Sequence, residues 1–234
     1  MSSVSALVVS VTVILGVWGG VPAGATSPKD QRAAQAGLLT LQDFPAGWTA
    51  SPNSSNDNSA TKKAIDTIAA CKPFRPLLGN AKAGSRADAK STFGLSGLSV
   101  SNNIVVFPTL AGANRTVRAS KSGAFSACTQ RLLQQGITQQ LNDTGQAAEV
   151  QHLAVAVQLL SAGVSVGDDQ SAVGATVTLS VGGTTTSLHV EDIFIRAGRA
   201  IDSFSYEDDT NPITDTVPSA ISASVTRLAG ALSS

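Results

Sequence analysis

Aromatic side chains are scarce in these 234 residues, with seven Phe, two Trp and one Tyr. A core therefore has to be assembled from Ala, Val, Leu and Ile, and no row of rings is available for stacking nucleic-acid bases. Charge is equally thin. The chain is 14% charged, and 16 Lys+Arg balance 16 Asp+Glu. Two Cys and two His are too few for the repeated ligand sets of zinc domains. No phosphate loop, Rossmann glycine fingerprint or C-x-x-C pair is spelled. Beyond residue 25 no stretch is continuously apolar over the roughly 18 residues of a membrane helix. We expect no cofactor, no metal, no nucleic-acid partner and no stable membrane span.

What is present begins with "MSSVSALVVSVTVILGVWGGVPAGA", residues 1–25. An apolar run from Ala6 to Trp18 leads into small residues and ends on Ala23-Gly24-Ala25, the pattern of a cleaved signal peptide. The expectation is an exported protein, secreted or held in the cell envelope, whose mature form starts at Thr26. Residues 26–37 read as a flexible tail and residues 38–234 as one domain. In an oxidising compartment the two cysteines, Cys71 and Cys128, read as one disulfide. They are 57 positions apart, and closing such a loop is worth about 4 kcal/mol in the chain-entropy treatment.

Charge is distributed unevenly. Residues 1–136 carry 13 Lys+Arg against 5 Asp+Glu, and residues 137–234 carry 3 against 11. The halves can neutralise each other on folding. Alternatively, a basic surface around Lys72, Arg75, Lys82, Arg86 and Lys90 meets an anionic envelope polymer or lipid.

The periodicity gives an order of elements. Phe44-Pro45-Ala46-Gly47 is a turn with Trp48 tucked beneath the domain. Residues 61–72 place Ala64, Ile65, Ile68 and Ala69 on a helical stripe, and 79–97 read as loop. Residues 98–107 form a strand. Residues 113–136 form a helix with Val117, Ala124, Cys128 and Leu132 inward and Gly136 as its cap. Four strands follow with period two: 150–160, 172–181, 186–196 and 200–206. Gly182-Gly183 is a hairpin turn. In the third of these, Leu188 and Val190 point inward and then Ile193 and Ile195 do, which predicts a β-bulge near Glu191-Asp192. A helix over 215–233 closes the chain. The fold class is α+β: an antiparallel sheet of about five strands in a meander, with helices packed on one face.

Gly163-Val164-Ser165-Val166-Gly167 spells the G-x-S-x-G of a nucleophile elbow. Such an elbow is a strand-to-helix turn. Here the following "DDQSAVGATVTLSV" is strand, so the glycines and Asp168-Asp169 read as a turn. His152 and His189 both fall on polar faces of their strands, and nothing brings either towards Ser165. His189, Glu191 and Asp192 could supply metal ligands, but a solvated strand face explains them. The polar sheet face is the candidate ligand surface, with Thr176, Thr178, His189, Glu191 and Arg196 as its residues. Catalytic residues are expected to be absent.

Several stretches carry a resemblance: "LLTLQDFPAGWT" after the leader, "FSACTQRL", "VSVGDDQSAVGATV", "EDIFIRAGRAIDSFSY" and "SVTRLAGAL". Over residues 38–232 the chain resembles small secreted or lipid-anchored actinobacterial proteins. It is similar to the extracellular sensor domains of PknH-like receptor kinases, and more loosely to PsbP-like α+β domains. The resemblance implies an antiparallel sheet flanked by helices and a cleft or open sheet face for binding. Those kinase domains carry two disulfides, whereas this chain can make one. The reading is a non-enzymatic, sensor-like domain that binds a small ligand or a cell-envelope component. Two alternatives stay open, a serine hydrolase using Ser165 and a structural envelope-associated protein.

Overall fold

Four strands run up and down as a meander, the last three joined by tight turns: β4 (Val150–Leu160), β5 (Asp169–Val181), β6 (Thr184–Ala197) and β7 (Ala200–Asp208). Three more precede them: β1 (Thr49–Ala50), β2 (Ala87–Leu95) and β3 (Leu98–Val106). In this computed structural model, which describes residues 27–50, 67–74, 87–95, 98–208 and 218–234, they form one antiparallel sheet. Its order is β1-β2-β3-β7-β6-β5-β4. The helices are α1 (Pro28–Gly37), α2 (Leu110–Ser120), α3 (Gly123–Asp143) and α4 (Pro218–Ser233). The class is α+β as expected, but the sheet has seven strands rather than about five.

Helices lie on both faces, not one. Ala34 of α1 and Ala220, Ile221, Val225 and Leu228 of α4 share a core with Val100, Ile104, Ile193, Ile195 and Phe204. Ala113 and Val117 of α2, with Phe125, Cys128 and Leu132 of α3, pack against Val173, Phe194 and Ile201. Further along α3, Leu133, Ile137 and Leu141 cover Val155, Ala175, Val177 and Val190. We call the α1/α4 side the first face and the α2/α3 side the second.

The two-sided cover explains why the expected bulge near Glu191-Asp192 is absent. Leu188 and Val190 lie on the second face, Ile193 and Ile195 on the first, and β6 keeps unbroken register with both β5 and β7. A strand buried on both sides has no single apolar parity. The register irregularity falls instead between Val150 and His152 in β4.

Three more expectations are corrected. Part of the expected tail 26–37 is helix α1, capped by the Ser27 hydroxyl and started by Pro28. Ala33 and Ala34 are buried, and Arg199 ties Asp30 to the sheet. Part of the expected loop 79–97 is strand β2, where Ala87 and Phe93 supply core contacts. The long helix of 113–136 is two helices. Ser122 caps the second by accepting from the Phe125 amide at 3.2 Å, and that helix runs through Gly136 to Asp143.

The expected helix over 61–72 lies largely outside the described residues. Its end is a short 3-10 segment, Ala69–Phe74, carrying Cys71 into a disulfide with Cys128 of α3. The expected signal peptide 1–25 also lies outside them. Among the described residues no helix is long and apolar enough to cross a membrane.

Candidate functional site

The G-x-S-x-G segment connects β4 to β5, and no helix follows it. Ala162 and Val164 turn into the first-face core while Ser165 is exposed. Gly167 has φ 76°, and the Asp168 amide donates to the Arg196 carbonyl at 2.7 Å. The nearest imidazole in register belongs to His189, opposite Thr176. That pair lies seven residues into β5, about 23 Å along the strand. Ser165 has neither the strained corner nor the base of a nucleophile elbow.

The five residues expected to line a ligand surface do not come together. Thr176, Thr178, His189 and Glu191 share the first face of β5 and β6. There His189 Nδ1 lies 3.4 Å from the Thr176 hydroxyl. Burial pushes the Glu191 carboxyl above its ordinary range. Arg196 points to the second face and ties two turns together. It donates to Asp168 at 2.8 Å and to the Gly198 carbonyl at 3.2 Å, while the Gly198 amide also donates to Asp168. Of the expected basic surface, Arg75, Lys82 and Arg86 and the side chain of Lys72 lie outside the described residues. Lys90 lies half-buried on the second face, not on a solvent-facing patch.

The second face of the central strands holds a polar stripe instead. Direct partners across the sheet point to one side. Lys90, Asn103, Ser203 and Phe194 therefore form one row across β2, β3, β7 and β6. Thr92, Ser101, Ser205 and Asp192 form the next, and Ser99 and Glu207 stand in the row after. Adjacent members of a row are about 5 Å apart at Cα. Apolar residues close the far side, with Phe194 ending the first row and Val173 and Val190 beside Asp192 and Glu207.

Burial shapes the chemistry here. It pushes the Asp192 carboxyl up to about 7, with the Glu191 charge adding to the effect and the neighbouring Ser205 hydroxyl opposing it. It raises Glu207 to about 8, reinforced by the Asp192 charge and opposed by Lys90. It lowers the Lys90 ammonium, which Glu207 partly offsets. Asn103 is only 4% exposed, and neither its amide nitrogen nor its oxygen has a hydrogen-bond partner. The buried Ser203 hydroxyl beside it is also unpaired. Unpaired buried polar atoms are costly and uncommon.

A third acid has a different setting. Asp202 faces the first-face core, where Asn102 and Ser224 both donate to its carboxyl. Asn102 in turn accepts from the Leu39 amide at 2.9 Å. This network latches α4 and the Leu39 segment to the sheet. Burial raises Asp202 to about 8 against those hydrogen bonds.

Sequence reasoning missed the stripe, although its signal was there. "SVSNN" and "SFSYE" place polar residues at every second position of β3 and β7, Ser99, Ser101, Asn103 and Ser203, Ser205, Glu207. That those strands are neighbours at the centre of the sheet required the topology. Among the described residues no group of three or more His, Cys, Asp or Glu could hold a metal ion.

No protein-family profile matches the chain, and no curated protein matches it. Among solved structures it is similar to the extracellular domain of PknH from Mycobacterium tuberculosis. The two share 12% identity with a TM-score of 0.41, over 87% of this chain and 96% of that one. At those values the likeness assigns no residue and no activity.

Proposed function

We propose that this chain is an exported, non-enzymatic binding domain, and that a small polar ligand of the cell envelope docks on the second-face stripe. The observation that carries the reading is Asn103. A buried amide with both ends unpaired stands beside an unpaired Ser203 hydroxyl and a half-buried lysine, and a polar ligand would satisfy these groups. The central strands of a sheet covered on both faces gain stability from apolar side chains, and this sheet carries serines there instead. Export is supported by the leader-like first 25 residues and by the disulfide. The exposed turn that holds Ser165 supports the absence of a serine nucleophile. The first-face group around Thr176 and His189 is less favoured, because hydroxyl and ring already face each other.

Native mass spectrometry of the protein purified from its own host tests the reading. We expect a retained small molecule that is released on unfolding and absent from the Asn103→Ala/Ser203→Ala variant. Undiminished retention by that variant would place binding elsewhere. A fluorophosphonate probe is expected to leave Ser165 unmodified, and labelling abolished by Ser165→Ala would reinstate the hydrolase.

A further inference from the structure

We infer that the ligand of the second-face stripe is a small hydroxylated organic cation, its ammonium seated between Asp192 and Glu207 and its hydroxyls on Asn103 and Ser203. The inference rests on the binding reading given above. Charge balance is its first support. Lys90 is the cation that acts on Glu207, whereas no cation among the described residues acts on Asp192. Two carboxyl groups against one ammonium leave one negative charge unmatched, and an isolated buried charge is strongly disfavoured. Burial accordingly raises the two acids to about 7 and about 8. A ligand with one positive charge closes the balance. A neutral ligand leaves that one negative charge unmatched, and an anion adds repulsion.

The second support is hydrogen-bond inventory. Asn103 offers a free NH2 and a free carbonyl oxygen, and Ser203 a free hydroxyl on the neighbouring strand. Together they give donors and acceptors about 5 Å apart, a fit for hydroxyl groups, which both donate and accept. Extent is the third. Lys90 to Phe194 spans four strands, about 15 Å, which fits a small molecule rather than a polymer face. Asp192, Ser205 and Glu207 are half-buried rather than fully enclosed. Among the described side chains, the charged groups nearby are Glu191 on the opposite face and, at the end of the neighbouring row, the Arg196–Asp168 and Lys121–Asp169 pairs, which satisfy each other.

The test is a nitrogen-15 NMR titration of the folded protein at neutral pH with serinol, glycerol and glycerate. These three match in size and differ in charge: cation, neutral and anion. For a ligand of this size a Kd of about 1 mM is expected. Serinol should give saturable amide shifts at Lys90, Asn103, Asp192, Ser203 and Ser205, and glycerol and glycerate should not. Asp192→Asn and Glu207→Gln should each weaken serinol binding by about tenfold, as loss of one charge-assisted contact. Glu207→Gln serves if Asp192→Asn fails to give a dispersed spectrum. If glycerol or glycerate shifts the same residues as strongly as serinol does, the cation is overturned and the stripe stands as the binding surface. If none of the three moves those residues up to about 50 mM, cation and binding surface both fall.

Discussion

At Gly167 a Cβ would lie 2.5 Å from Ile195 Cγ2 and 2.7 Å from the Arg196 carbonyl, at a φ of 76° that L side chains avoid. At Gly163 the φ is 65° and nothing lies within 4 Å of the same position. The two outer letters of one apparent catalytic motif thus carry different constraints. Gly167→Ala should cost about 2–4 kcal/mol, combining backbone strain with a backbone clash. Gly163→Ala should cost about 1 kcal/mol, the strain alone. Thermal denaturation of the two variants checks the ranking, and equal costs would contradict the close approach. The turn was legible from Gly163, Gly167 and Asp168-Asp169. The Arg196–Asp168 tie was not, because it joins side chains on different strands that meet only after folding.

Helix α3 shows at the level of an element how local chemistry outranks periodicity. The apolar spacing from Ala113 to Leu132 reads through positions 121 and 122 as though the helix were continuous. The Ser122 hydroxyl nevertheless caps a new helix by accepting from Phe125. Ser122→Ala is expected to cost about 1 kcal/mol in denaturant unfolding, the usual worth of such a cap. Gly136 sits inside α3 with open space where a Cβ would go. Gly136→Ala should therefore stabilise the protein by about 1 kcal/mol, with the opposite sign. Had Gly136 ended the helix, as its residue type suggests, alanine there would be neutral or harmful. The disulfide was predictable from its two cysteines alone, and it fixes the Ala69–Phe74 segment beside Phe125. Strand β2 was not predictable. "ADAKSTFGL" has weak strand propensity, and its place depends on nine paired positions with β3.

Burial raises four acids, Glu191 among them, and the three raised furthest set the response of the whole molecule to pH. Asp192 stands at about 7, and Asp202 and Glu207 at about 8. Each holds its proton more tightly folded than unfolded, where carboxyl groups titrate near 4. Between those values the folded state binds more protons, so raising the pH removes stability. Asp43 and Asp169, lowered although burial opposes it in both, act oppositely, and their contribution disappears only as pH falls below about 4. Melting curves should therefore show a loss on the order of a few kcal/mol from about pH 5 to about pH 8. Asp202→Asn should flatten that slope and raise stability at the alkaline end. A protein equally stable at both ends would show that these carboxyl groups ionise freely in the fold.

The chain by itself determined an antiparallel α+β domain, the four-strand meander, the Gly182-Gly183 hairpin, the single disulfide and the turn at Ser165. Each of these depends on neighbours in sequence: period-two alternation, turn residues, or a count of two cysteines. Tertiary structure alone decided that both faces of the sheet are covered, that α1 packs where a tail was expected, and that the polar positions of β3 and β7 stand side by side. Those outcomes depend on pairings such as Asn103 with Ser203, residues 100 positions apart, which no local pattern encodes.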